Sequence, residues 1–401
     1  MKTDTLPTAA DPLAQSAING GAGLQGPVHG SEVARSLARR RQPRIIFDFI
    51  DGAAGSEIAA GLNQSDLQRI GLAPRVLAGS AGADLSCQIL GRAMGLPFGI
   101  APMGMCNLAW PDADRMLAVE AVRRAVPLCL STASSTSLEE VARLTDGQAW
   151  FQLYVSGSAE AGMAMADRAA SAGYEILVLT VDVPRVAPRP RDQRNGFQTP
   201  FRLQPRQFMD FATHPRWSLS TLRAGVPTTA NFRLDGGVNR FDRNASRAGA
   251  NWEFLDRLRA RWKGKLVVKG VLDPADALRI RAAGIDAIYV SNHGGRQLDS
   301  APSAISALPA IRLAVGPNFP LLFDSGVRSA EDIVKALASG ADFVMLGRPL
   351  LFALGADGAR GLSNFLDALQ DGIAVTLAQL GLQRVQDIDA SVLAASRPTP
   401  Q

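Results

Sequence analysis

Eight short apolar runs, each ending in a polar or glycine-rich cluster and most followed by a helical pattern, predict an α/β chain folded as a single (β/α)8 TIM barrel. Two further observations support this. The helical stretches carry their own start and stop signals, and the polar clusters all fall at the strand ends where such barrels build their sites. With 401 residues, 47% of them hydrophobic, the chain is long enough to bury the core of one such barrel.

In chain order the runs are FGIAPMG from Phe98, LCLSTAS from Leu128, WFQLY from Trp150, ILVLTVD from Ile176, LVVKG from Leu266, AIYVSNHGG from Ala287, LLFDSG from Leu321 and FVMLGR from Phe343. Between them, Asp273 reads as an N-cap with Pro274 at the first helical position and Gly284 as the stop. Ser329, Asp332 and Gly340 repeat the device, and Ser137 with Glu140 has capping-box spacing. The expected organisation is a mobile N-terminal tail over residues 1–30, the barrel with an N-terminal helical extension over 31–390, and a C-terminal tail over 391–401. One connection breaks the rhythm, a long insertion after the fourth strand at about 190–250.

Composition narrows the function classes. The 42 basic and 37 acidic residues are spread along most of the chain, so no nucleic-acid surface is indicated. An odd set of three cysteines, Cys87, Cys106 and Cys129, lacks metal-ligand spacing and argues against a secreted disulfide framework, so a cytoplasmic setting without a metal site is expected. No apolar run approaches a membrane span, and the N-terminal stretch with Asp4 and Asp11 does not read as a signal peptide. Gly21–Gly26 spell GAGLQG, a literal dinucleotide-loop match, but no strand precedes it and no amphipathic helix follows, so chance composition explains it. The insertion carries six arginines against Asp192 between Arg185 and Arg206, with Phe201, Phe208, Met209 and Phe211 nearby. It reads either as a solvated lid or as a patch for peripheral contact with the inner face of a membrane.

The strand ends carry the chemistry. Gly326, Arg328, Gly347 and Arg348 follow the last two strands, where barrels commonly bind phosphate. Lys269 closes an apolar strand and must face an anion, because an unpaired buried charge is costly. His293 sits on a glycine-rich strand exit, and Asp182 ends another strand at the same face; an Asp orienting a His makes a general base near neutral pH. Arg189 and Arg296 offer guanidinium forks for a carboxylate, and Tyr154 adds a phenol.

WFQLYV, LTVDVPR, VVKG, SNHGGRQLD, DSGVR and LGRP, in this order from about Val33 to Ile388, resemble the FMN-dependent L-2-hydroxy acid oxidising family, which includes glycolate oxidase and L-lactate and mandelate dehydrogenases. STAS, HPRWSL and ANF are most similar to its bacterial mandelate dehydrogenase branch. The resemblance implies FMN. Pro102, Met103 and Gly104 would line its ring, with Ser131, Gln152 and Thr180 touching it and Lys269 at its N1 and C2-carbonyl edge. Ser291 would contact the flavin or its ribityl chain, and Asp324, Ser325, Gly326, Val327, Arg328, Gly347 and Arg348 would hold ribityl and phosphate. His293 would be the base and Asp182 its partner, with Tyr154, Arg189 and Arg296 at the substrate.

Oxidation of a 2-hydroxy acid is the implied activity, with a quinone, another carrier or O2 as final acceptor and a tetramer as the usual assembly. Two departures from the family pattern stand out. Phe49, in FDFID, occupies the position of a tyrosine that meets the substrate carboxylate, and GAAGSE follows Asp51 in place of a more acidic stretch. Ala133 stands where glycolate-type enzymes carry a large aromatic, which leaves room for a bulky side chain on the substrate.

Overall fold

A computed structural model describes residues 28–79, 82–198, 205–232 and 246–394. The GAGLQG match and Phe201 lie outside the described residues. Strands β1 (Cys87–Ile89) and β2 (Arg92–Met94) form an antiparallel hairpin that turns at Leu90 and Gly91, both at positive φ, as tight hairpin turns require.

The next eight strands are the eight runs of the sequence: β3 (Phe98–Ile100), β4 (Cys129–Ser131), β5 (Trp150–Leu153), β6 (Ile176–Thr180), β7 (Lys265–Val271), β8 (Ala287–Val290), β9 (Leu321–Phe323) and β10 (Phe343–Leu346). All pair in parallel, in the order β3-β10-β9-β8-β7-β6-β5-β4. The two ends of this sheet meet where Ile100 bridges Leu128 and the Ile100 N–H donates to the Pro127 carbonyl at 2.8 Å, which closes the barrel. Helices cover the outer face, so the strands are buried on both sides and read as continuous apolar runs instead of alternating ones.

Capping proceeds as the sequence indicates. Asp273 accepts from the N–H groups of Ala275 and Asp276, Ser137 accepts from that of Glu140, and Ser329 with Asp332 forms a reciprocal capping box. At the N-terminal side, helix Ser31–Arg41 packs along the 33-residue helix Arg348–Leu380, which kinks at Asp357 and Gly358. Residues 391–394 also pack back on the fold: Leu393 bridges Leu72, and the Ala394 N–H donates to the Gly71 carbonyl.

The insertion holds helices Pro190–Asn195, Pro205–Ala212 and Pro215–Ala224. Trp217 and Asn231 are among the residues that tie it to the barrel. The Trp217 indole N–H donates to the Leu108 carbonyl at 2.9 Å, and buried Asn231 joins the loop after β4 by accepting from the Leu138 N–H and donating to the Thr132 carbonyl and Ser134 Oγ. Phe211 stacks on Trp217 with ring centroids 5.7 Å apart, so it belongs to this anchor and not with Phe208 and Met209, which are 62% and 61% exposed.

Candidate active site

Three strand ends converge on the His293 imidazole. Nδ1 lies 3.0 and 3.2 Å from the two carboxylate oxygens of Asp182, beyond β6, and Nε2 lies 3.3 Å from the hydroxyl of Tyr154, beyond β5. Asp182 thereby fixes the ring and leaves Nε2 facing the cavity. Burial pushes the His293 pKa below its ordinary value, against the pull of Asp182 and with help from Lys269 and Arg189, so the imidazole is neutral and ready to accept a proton at neutral pH.

Backbone geometry makes this close approach feasible. His293 adopts φ +58, and its N–H donates to Ser291 Oγ at 3.0 Å. At Gly270, φ +105, a Cβ would stand 2.5 Å from the Asp182 Cβ and 3.0 Å from its backbone nitrogen. Gly270→Ala therefore displaces Asp182 and adds backbone strain. A misplacement of this kind is expected to cut turnover about 100-fold while far-UV circular dichroism stays unchanged.

A second cluster stands at the cavity wall. Lys269 Nζ donates to Ser291 Oγ at 2.7 Å and pairs with Asp324 at 3.2 Å; Ser291 and Ser325 both donate to the Asp324 carboxylate. Burial works against the Asp324 charge, but Lys269 and these hydroxyls outweigh it and hold the carboxyl below its ordinary range. The partner that Lys269 requires is therefore present within the protein.

Buried Gln152 accepts from Ser131 Oγ through Oε1, yet among the described residues its Nε2 has no hydrogen-bond partner, and neither has the buried hydroxyl of Thr180. Two unsatisfied polar groups on adjacent strands call for an outside partner, as the polar edge of a flavin provides. Further round the barrel, Arg328 and Arg348 have no carboxylate within ion-pair distance among the described residues, and burial, followed by the neighbouring Arg348, pushes Arg328 down to about 9. Adjacent guanidiniums held in this way fit a phosphate dianion. The residues present thus fit FMN at both its polar-edge and phosphate ends.

All the site residues indicated by the sequence line this one cavity except Asp182, Gln152, Thr180 and Ser291, of which the first, second and fourth are hydrogen-bonded to the lining residues His293, Ser131 and Lys269, while Thr180 pairs with Lys269 between β6 and β7. Pro102, Met103 and Gly104 enter after β3, and Gly104 lies close to Ala133. Arg189 lies 4.0 Å from Asp192. Arg296 donates to the carbonyls of Phe49, Ile50 and Gly52, with its guanidinium 5.5 Å from the Phe49 ring centroid. Phe49 in turn stacks flat on Phe197, centroids 4.2 Å apart, forming an apolar wall with Val183 and Val186.

Several functional positions were not singled out in the sequence. Arg247 lines the cavity over the Tyr154 ring. Asn63 exchanges two side-chain hydrogen bonds with Asn292 and so holds the His293 loop. The GAAGSE stretch acquires a role as well: the Ala54 N–H donates to the Gly295 carbonyl, Ser56 and Ala59 donate to Asp299, and Gly55 leaves space for Asp299. It braces the 293–299 loop from outside.

The closed parallel barrel and the His–Asp and Lys–Asp pairs at its C-terminal face fit a flavin-dependent hydroxy acid dehydrogenase. The chain belongs to the FMN-dependent dehydrogenase family, whose model matches residues 38–395. It is 38% identical over 372 residues to an L-lactate dehydrogenase of Pseudomonas syringae pv. syringae (strain B728a), covering 90% of this chain and 96% of the relative. Identity to the (S)-mandelate dehydrogenase of Pseudomonas putida is also 38%, over 365 residues, covering 90% and 92%. The crystal structure of a monotopic membrane protein, (S)-mandelate dehydrogenase, superposes with a TM-score of 0.88 at 38% identity, covering 92% of this chain and all of that one. The protein is an FMN-dependent enzyme acting on 2-hydroxy acids.

Proposed function

We propose that the protein oxidises an L-2-hydroxy acid with a bulky, mandelate-like side chain to the 2-oxo acid and passes the electrons on to a quinone or another carrier. The observation that carries this reading is His293 held between Asp182 and Tyr154, facing a cavity whose far wall is the Phe49–Phe197 stack. Two electrons and two protons leave the substrate's C2–OH group; His293 Nε2 takes one proton, Asp182 stabilises the imidazolium that results, and the electron pair with the other proton would go to the cofactor. Bound FMN supplies the two-electron acceptor. Arg189 and Arg296 hold the substrate carboxylate, the latter already oriented by three backbone carbonyls, and Tyr154 hydrogen-bonds the reacting oxygen. Lys269 offsets negative charge gathering at the cofactor's polar edge, while Arg328 and Arg348 bind its phosphate.

Ala133 and the apolar wall favour a large side chain, and burying a phenyl group there stabilises its complex. The kcat/KM for (S)-mandelate is expected to exceed that for glycolate by about tenfold or more; an equal or higher value for glycolate would refute the bulky-substrate reading. L-Lactate belongs in the same comparison, because relatives at equal identity are named for it.

Membrane contact is the second part of the proposal. Phe208, Met209, Leu219 and Leu222 are all more than half exposed on helices Pro205–Ala212 and Pro215–Ala224, interspersed with exposed Arg206, Arg216 and Arg223. A similar chain is described as a monotopic membrane protein. Replacing Phe208 and Met209 with serine should lower co-sedimentation with anionic vesicles about tenfold or more. Unchanged sedimentation would place the contact elsewhere or remove it.

A further inference from the structure

We propose that Arg247 is a positioning residue for this oxidation and acts through Tyr154: its guanidinium, laid over the phenol ring, makes the hydroxyl a stronger donor to the reacting oxygen. The guanidinium carbon lies 5.0 Å from the ring centroid, and Arg247 is only 5% exposed. A cation on the face of a ring favours electron density moving into that ring, and the effect grows when both partners are removed from water. The phenol it covers is the one within hydrogen-bonding distance of His293 Nε2, at 3.3 Å. An oxygen that gives its proton to Nε2 therefore lies within reach of the Tyr154 hydroxyl, which donates most strongly as negative charge appears there.

The backbone holds this arrangement in place. The Arg247 N–H donates to the Pro184 carbonyl at 3.0 Å, two residues past Asp182, and the Gly157 N–H donates to the Ser246 carbonyl at 3.3 Å, three residues past Tyr154. Gly249 lies against Val155, where a Cβ would come within 3.0 Å of Cγ1. Residues 246–249 thus fasten together the two loops that carry the catalytic phenol and the carboxylate. Burial and then Asp182 hold the Tyr154 ionisation well up, and Arg247 leads the groups pulling it back, ahead of Arg189 and Arg296.

Arg247 also lines the cavity, so a direct hold on the substrate carboxylate and a purely structural role are the alternatives to exclude. Single-turnover reduction of the FMN-loaded enzyme by (S)-mandelate and L-lactate, measured in Arg247→Met, Tyr154→Phe and the double variant, separates them. The limiting rate is expected to fall about tenfold in Arg247→Met with substrate affinity within about twofold, and the same change in the Tyr154→Phe background should cost less than about twofold. Arg247→Lys, which keeps the charge, should stay within about threefold of the unaltered enzyme; Arg247→Gln serves as the neutral variant if the methionine form does not fold. An equal loss in both backgrounds, a loss confined to substrate affinity, or no loss overturns the proposal. The inference rests on the 2-hydroxy acid reading of the site. That reading falls if neither acid reduces the unaltered enzyme, whereas additive losses in an active enzyme remove only the role of Arg247.

Discussion

Flavin reduction by substrate is expected to slow by about 10²- to 10⁴-fold when His293 is replaced by asparagine, the range that loss of a general base produces. Asparagine is the suitable replacement because the residue sits at φ +58, a conformation it tolerates, so the loop is retained and the effect reports the lost proton acceptor. The same imidazole sets the pH dependence. Burial holds its pKa below the ordinary 6.5, and only the neutral form accepts a proton, so kcat/KM rises along an acid limb centred below that value. Asp182 pulls the pKa upward; Asp182→Asn should therefore shift the limb to still lower pH while reducing the plateau. A limb that stays in place would mean that another group titrates.

Lys269→Met is expected to be the most damaging change to the cofactor site. It leaves the Asp324 carboxylate buried without its cation, a cost of about 3–5 kcal/mol, and removes the positive charge at the site of the flavin's polar edge. Purified protein should carry little FMN and unfold at a lower temperature. Combining Lys269→Met with Asp324→Asn removes the stranded charge, so thermal stability should recover in part while activity does not. If the double variant is no more stable than the single one, the Lys269–Asp324 pair is not the source of the loss.

The barrel was legible because its signals are local. Each strand is a short apolar run with its own polar exit, and caps such as Asp273 and Ser329 act within three residues. The candidate site groups stand out in the sequence for a related reason: His293, Asp182 and Lys269 are residue types that packing does not ask for at the ends of strands. What escaped notice depends on partners distant in the chain. Asn63 meets Asn292 across 229 positions, and Gly55 makes sense only beside Asp299. Arg247 reads as one more arginine of the insertion until the fold lays it on Tyr154. Phe211 was grouped with Phe208 and Met209 by proximity, but its ring stacks on Trp217, a contact that sequence spacing alone does not distinguish from an exposed face. The β1–β2 hairpin was missed because three-residue strands carry too few alternations to stand out.

The most direct test is the visible spectrum of the FMN-loaded protein, taken anaerobically before and after addition of (S)-mandelate, with L-lactate and glycolate in parallel. The flavin bands should bleach, fastest with mandelate, and His293→Asn should keep its FMN yet bleach at least about 100-fold more slowly. Bound FMN that no 2-hydroxy acid reduces, or an asparagine variant that bleaches as fast as the unaltered enzyme, would contradict this expectation.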